Sequence, residues 1–540
     1  MRRATARGGF LPVRFRARMG RHRTFWRYAI SLGVTIMDRI RRTAIFAPLL
    51  IAAAAQSAWP EDAIAQRLDE RSFNEFIRAT LRSYSVPGAV VAVADASATV
   101  FVKGYGVRQA RSPSPVDENT RFQIASLSKF VAATAIATLV DQGVVSWDVP
   151  VRQFSPDTVL AEPYATENAS LRDYLAHRTG LPAYAGDLLA QLGYSPEELI
   201  RRARFLPFDH SFRAEWAYSN YGIFLGQRSA AHAAGISAPE LLSKRILQPL
   251  GMLRSGPTQA ELFKDDNRAT AHNIDGSIMP YENVDAFSGG GAIVSTGADI
   301  ARWMRMLLAE GKFEGRQILA PRTVGQIFAA SMVQGPGGPL QDPNNCAGLG
   351  CESYQFLGHR VIEKNGALNG VRTIVTLVPG RNIGIAVFAN KQLTVFPEAV
   401  RAEFLERVLG HSGRDLQKQI RGEQDAWNTL VAIPKPPADA KPLRRALNAF
   451  TGRFVNPFYG FLNVVQEGDS LRVWIGDHNY PARLTHWSDD SFLLTFDNPD
   501  IAPGLLAFWF DTGADHASGF AGSKIADAFT IDYGRFERAG

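Results

Sequence analysis

The sequence predicts an α/β protein of the α+β kind. Helices flank an antiparallel sheet that is interrupted by a helical insert, and a small β-barrel follows at the C-terminal end. Three observations point there. Apolar strand-like runs lie at Ala89–Gly104 and again at Tyr354–Ala389. Helix-spaced patterns broken by turns fill the chain between them, to about Glu310. Beyond the proline-rich run Ile433–Pro442, short strand-like runs alternate with Gly, Asp and Asn.

At 540 residues the chain is too long for one core and is expected to divide into domains. Residues 1–36 read as an Arg-rich extension, disordered or an over-long start ahead of Met37. Residues 37–57 read as a signal peptide: basic Arg39, Arg41 and Arg42, the apolar stretch Thr43–Ala55, and the small-residue site Ala55-Gln-Ser57. That apolar stretch is short for a transmembrane span, and no later segment resembles one. A secreted or periplasmic location follows as the expectation. The net charge of +7 hides a split: residues 1–57 carry +11, so residues 58–540 carry −4. A mildly acidic body gives no argument for a nucleic-acid partner.

Glu70–Tyr84 has the apolar spacing of an amphipathic helix, and Ala89–Asp95 with Ala98–Gly104 reads as a hairpin. Tyr354–Lys364, Val371–Val378 and Ile383–Ala389 read as three strands, and Pro397–Leu409 as a helix. Strands at both ends would meet in one sheet, making 66–412 a single catalytic domain. Residues 413–442 read as a helical and Pro-rich linker, and 443–540 as the β-barrel. Trp474 and Trp509 are expected in the barrel core rather than on a carbohydrate platform. In an oxidising compartment Cys346 and Cys351 are close enough in sequence to pair, and pairing and free thiols are both open readings.

The chemistry centres on Ser126-Leu-Ser-Lys129, which opens an Ala-rich, almost uncharged helix that Gly143 can end. Ser126 and Lys129 share a face at this spacing. Desolvation and the positive end of the helix both lower the pKa of the amine, so that it can take the hydroxyl proton. Ser is also a common N-cap, so the pair alone leaves a structural reading open. Two later stretches offer a further proton carrier and a cation: Tyr218-Ser-Asn220 in an expected loop, which equally suits an ordinary turn, and Lys364-Asn365-Gly366-Ala367 at a strand end, where Asn-Gly also suits a hairpin turn.

Ser-x-x-Lys, then Tyr-x-Asn, then Lys-x-Gly is an order that resembles the serine β-lactamase and penicillin-binding-protein family, of the class C β-lactamase and DD-peptidase type. Leu175–Pro182, Leu247–Met252, Gly289–Asp299 and Val378–Asn390 resemble it as well. The C-terminal module is similar to the lipocalin-like domain of some relatives. The resemblance implies a β-lactamase/transpeptidase-like fold, with Ser126 as acylated nucleophile, Lys129 as base and Tyr218 as proton relay. Asn220 would bind the substrate amide and Lys364 would supply positive potential. Asn365, Gly366 and Ala367 would line the substrate strand, with the N–H groups of Ser126 and Ala367 as oxyanion hole. Asn365 stands where β-lactamases usually carry Thr, and Leu181-Pro-Ala183-Tyr184 lacks their Gln. Both departures bear on β-lactam hydrolysis more than on acyl transfer.

The expected function is therefore an exported serine hydrolase working through an acyl-enzyme on a β-lactam, a D-amino-acid peptide or an ester. The alternative is an inactive penicillin-binding-like envelope protein that keeps the pocket for binding. No cofactor or metal is expected, since clustered His and Cys-x-x-Cys are missing from the sequence. Gly289-Gly-Gly291 lacks the following Gly-Lys-Ser/Thr of a phosphate loop. His177 and His359 read as structural.

Overall fold

Strand β1 (Gly88–Asp95) shows how the main sheet is built. Every residue in it is buried. Val90, Ala92 and Ala94 enter one core while Ala89, Val91 and Val93 enter the other. A strand covered on both faces reads as an unbroken apolar run, which is why the sequence shows no alternation there. The computed structural model describes residues 68–540 apart from 336–337, 339, 341–342, 431–434, 499–500, 502 and 525–533. The extension 1–36 and the signal segment 37–57 lie outside the described residues.

The sheet continues with β2 (Thr99–Gly106), β3 (Met332–Val333), β4 (Cys346–Ala347), β5 (Glu352–Phe356), β6 (His359–Leu368), β7 (Val371–Val378) and β8 (Ile383–Ala389). Their order is β2-β1-β8-β7-β6-β5-β4-β3. β1 lies antiparallel to β8, so strands from the two ends of the domain are neighbours in the sheet, one strand in from its β2 edge. Among the helices are α1 (Glu70–Ser83), α2 (Ser128–Asp141), the short α3 (Asp187–Gln191), α4 (Asn220–Ala233), α5 (Gly297–Leu308) and α6 (Phe396–Leu409). Phe73 and Ile77 of α1 and Phe396, Val400 and Phe404 of α6 cover one face. α2, α4 and α5 belong to the core on the other.

Several expectations are revised in detail. The run Tyr354–Lys364 is not one strand: Leu357 and Gly358 take left-handed backbone (φ 49° and 75°) and turn it into the β5–β6 hairpin. The turn after β6 falls at Asn369-Gly370, while Asn365-Gly366 stays inside the strand, paired with Ile374 and Thr373. The helix Leu416–Leu430 is no free spacer, because Leu416 and Ile420 are buried in the α1/α6 core. Cys346 and Cys351 are not joined in a disulfide; burial pushes the Cys351 thiol up to about 12.

The C-terminal strands β9 (Gly452–Asn456), β10 (Gly460–Glu467), β11 (Ser470–Ile475), β12 (Tyr480–Ser488), β13 (Ser491–Phe496), β14 (Gly504–Trp509), β15 (Gly519–Lys524) and β16 (Arg535–Arg538) close into a barrel. Trp474 and Trp509 do not fill it. Leu471, Val473 and Ile475 point inward, so the period of two turns Trp474 outward, under Arg472; Trp509 likewise lies under Arg535. The barrel rests on the helical insert: Phe458 packs edge-on against Tyr221, and the Tyr194 hydroxyl donates to the Tyr459 carbonyl.

Candidate active site

The segment ahead of α2 is bent before it becomes helical. Ala125 takes φ 52°, a left-handed conformation uncommon for a residue with a Cβ, and Ala125–Leu127 form a single 3₁₀ turn. That bend leaves Ser126 partly exposed while every residue from Ser128 to Leu139 is buried. An all-round apolar helix is stable only inside a core. Its far end closes as a Schellman motif: the Gly143 N–H reaches the Val140 carbonyl and the Val144 N–H reaches the Leu139 carbonyl.

Lys129 is carried into this core with no exposed surface. Its Nζ donates to Ser126 Oγ at 2.9 Å and to the Gly290 carbonyl. That second contact explains the glycine run. A Cβ on Gly289 would meet the Ala132 methyl at 2.5 Å, so only glycine lets this loop lie against α2. Gly289-Gly-Gly291 thus shapes the surroundings of the amine.

Tyr218 arrives from the loop before α4, and its hydroxyl donates to Ser126 Oγ at 2.9 Å. His177 holds that loop in place. Its Nδ1 accepts from the Ser219 N–H at 3.1 Å, and its ring lies 4.7 Å from that of Tyr218. Burial, with the charges of Lys364 and Lys129, lowers His177 well below 6.5, so it sits as a neutral acceptor. Tyr184 stands beside the phenol at 5.3 Å. Ser219 caps α4 through the Gly222 N–H. Asn220, the first residue of α4, donates from Nδ2 to Asp187 Oδ2 at 2.7 Å.

Lys364 comes from β6 and is buried. Its Nζ lies 5.1 Å from the Tyr218 ring centre and 3.4 Å from Glu352 Oε1. Lys129 Nζ lies 5.0 Å from the same ring, so the phenol sits between two amines. Gly366 is needed for this approach. A Cβ there would meet the Ile124 carbonyl and Thr373 Oγ1, both at 2.5 Å. β6 therefore nests against the residues that lead into Ser126, and Thr373 Oγ1 donates to the Ile124 carbonyl. Asn365 is half-buried and Ala367 exposed on the same strand.

Electrostatics separates the three titrating groups. Burial lowers Lys129, and the neighbouring charge of Lys364 adds to it. Burial also opposes the charge on Lys364, but Tyr218 and Glu352 outweigh it and raise its pKa. For Tyr218 burial pushes upward, yet the two amines and the hydrogen bonds bring it below 10. The set thus contains one amine with a lowered pKa, one with a raised pKa, and a phenol with a lowered pKa.

A family model described as Beta-lactamase matches residues 73–409. The chain belongs to the β-lactamase family. Being a β-lactamase-family protein, it is a hydrolase. It is 26% identical over 457 residues to the unguisins hydrolase ungD' of Aspergillus campestris, covering 77% of this chain and 82% of that one. It is 23% identical over 367 residues to the D-alanyl-D-alanine-carboxypeptidase/endopeptidase AmpH of Escherichia coli, covering 65% and 92%. Among solved structures, the octameric penicillin-binding protein homologue from Pyrococcus abyssi aligns with a TM-score of 0.57 at 20% identity, over 87% of this chain and 99% of that one. A class C β-lactamase aligns with 0.53 at 19% identity, over 66% and 99%. These two likenesses concern the fold.

Around this β-lactamase-family site stand residues that sequence reading passed over. His177 was in view as a structural histidine, whereas Asp187, Gln123 and Glu282 carry no local signal. No group of His, Cys, Asp and Glu suited to a metal occurs among the described residues, and no helix there is long and apolar enough to cross a membrane.

Proposed function

We propose that this protein is an exported serine hydrolase that cleaves amide or ester bonds of small substrates through an acyl-enzyme on Ser126. The observation that carries the reading is the double hydrogen bond at Ser126 Oγ, from Lys129 Nζ and from the Tyr218 hydroxyl, each at 2.9 Å. Neutral Lys129 takes the Ser126 proton as Oγ bonds to the substrate carbonyl carbon. Tyr218, between the amines, hands a proton to the leaving nitrogen or oxygen as that bond breaks. Water then adds to the ester carbon, releases the acid and returns the proton to Ser126. Lys364 stays charged and attracts a substrate carboxylate. The N–H groups of Ser126 and Ala367 are assigned to the developing oxyanion.

Peptide and ester substrates are favoured over β-lactams, because Asn365 stands where β-lactamases usually carry Thr and Leu181-Pro-Ala183-Tyr184 lacks their Gln. The relative named as a carboxypeptidase/endopeptidase supports the same ranking. Export rests on the signal-like pattern of residues 37–57. A fluorophosphonate or fluorescent penicillin should label the protein on the peptide that contains Ser126. A D-Ala-D-Ala peptide and a short acyl ester should then turn over faster than a chromogenic cephalosporin. Labelling elsewhere, or none, removes the reading.

The pKa directions set a pH profile. Acylation needs Lys129 neutral, so kcat/KM should climb as pH rises through its lowered pKa. Lys364 must keep its proton, and its raised pKa puts that loss above the ordinary lysine value of 10.5. The rising limb is expected in the range below the ordinary lysine value of 10.5. A profile that falls across this range contradicts the assignment of the base.

A further inference from the structure

One wall of the cleft, beside Asn220, is over-supplied with hydrogen-bond acceptors. Asp187 gives Oδ2 to Asn220, while its Oδ1 is buried and has no donor. Gln191, one helical turn on and on the same face of α3, donates Nε2 to Glu282 Oε1, which leaves its own buried Oε1 without a donor. Gln123, three residues before Ser126 and 1% exposed, donates Nε2 to the Glu282 carbonyl, and its Oε1 is likewise unmatched. Glu282 Oε2 in turn accepts from the Asn369 N–H on the β6–β7 turn. Glu282 thus ties together the strand before the nucleophile, the face of α3 and the tip of the substrate strand.

The orientation of these amides follows from chemistry. A carboxylate or a carbonyl can only accept, so each of Asn220, Gln191 and Gln123 must turn its NH2 toward Glu282 or Asp187 and its oxygen away. The consequence is a set of oxygens that ask for donors, with two carboxylates behind them. Leaving such atoms buried and unmatched costs free energy. A ligand group with several N–H donors and a positive charge answers both demands. A primary ammonium has three donors and one charge.

We propose that Asp187, Gln191, Glu282 and Gln123 form a cation subsite that selects substrates whose acyl-donating residue carries a free, protonated amino group, as at the start of a peptide. The selection rests on the hydrolase reading of Ser126, since it names the substrate class for that same cleft. The wall adjoins the nucleophile's own segment: Gln123 lies three residues before Ser126, and Asn220, two residues after Tyr218, is hydrogen-bonded to Asp187. Burial, with Glu282 adding to it, pushes the Asp187 carboxyl up to about 7 against the pull of Asn220 and Lys129. An ammonium docked there would offset that burden. Lys364 at the cleft could attract the free carboxylate of a short peptide, so that a zwitterionic peptide matches both ends.

Calorimetric titration of the full-length Ser126→Ala protein tests the subsite without requiring turnover. The probes are alanyl-alanine dipeptides of both configurations, each with a free amino group or N-acetylated. The free-amino forms are expected to bind at least tenfold more tightly, and Asp187→Asn and Glu282→Gln placed in the same background should each cut that ratio to about twofold or less. Circular dichroism and an unfolding curve confirm that each variant is folded; should one fail, the other and the parent ratio still decide. Equal or tighter binding of the acetylated forms, no binding of either, or a ratio that survives both substitutions overturns the subsite. Absence of Ser126 labelling in the wild type overturns the hydrolase reading instead, so the two failures are distinct.

Discussion

Ser126→Ala should lower kcat/KM by about 10⁶-fold, as loss of a covalent nucleophile does elsewhere. Lys129→Ala should cost about 10²–10⁴-fold, the usual scale for a lost general base. The double variant should be no worse than Ser126→Ala alone. The physical reason is that Lys129 acts through the Ser126 hydroxyl, to which its Nζ is bound at 2.9 Å. With the hydroxyl gone, the amine has no proton to accept. Single-turnover kinetics on the best substrate of the panel reads this, with labelling as a second readout. Losses that multiply in the double variant would mean that the two residues serve separate steps. Stability should not follow activity, because a fully buried amine with a lowered pKa is itself costly to hold. A folded, inactive Lys129→Ala protein is therefore expected.

Glu363→Ala is expected to have the largest effect on stability. Glu363 is the neighbour of Lys364 on β6, and it points to the opposite face of the sheet, where it is buried. Its Oε2 accepts from the Tyr354 hydroxyl at 2.9 Å, from Thr376 Oγ1 at 2.7 Å and from the guanidinium of Arg401. Arg401 sits on α6 and is itself buried, so the alanine variant would take away the carboxylate that Arg401 meets most closely. Breaking a buried pair on one side typically costs about 3–5 kcal/mol. Glu363→Gln keeps an acceptor for Tyr354 and Thr376 and should cost less. Urea unfolding distinguishes them; a loss below about 1 kcal/mol for the alanine variant would show that Arg401 finds another partner. Activity should fall as well, since this network pins the strand that carries Lys364.

The two substitutions probe different kinds of information in the chain. Ser126 and Lys129 are three residues apart on one turn, and their contact is a matter of local geometry that any reader of the sequence can draw. Glu363 looks like an ordinary charge beside a motif lysine, and nothing nearby in sequence tells that Arg401 waits behind it. Asp187 and Glu282 show the same limit. Their partners Asn220, Gln191, Gln123 and Asn369 come from four separate stretches, so no spacing rule could have joined them. The split of Tyr354–Lys364 into two strands failed to show for another reason. Its turn uses Leu357 in a left-handed conformation, and leucine gives no hint of one.

What the sequence by itself determined is the family, the mixed fold with a second β module, and the local chemistry of the Ser126 turn, because periodicity, glycine placement and motif order are properties of neighbours along the chain. What only the tertiary structure decided is which groups meet: Lys129 and Tyr218 at the Ser126 hydroxyl with Lys364 beside the Tyr218 ring, Gly289 and Gly366 as points of close approach, and the acceptor-rich wall at Asp187. Those meetings depend on burial and on the sheet order that joins both ends of the domain, and the free energy of a buried charge is set by what surrounds it in space.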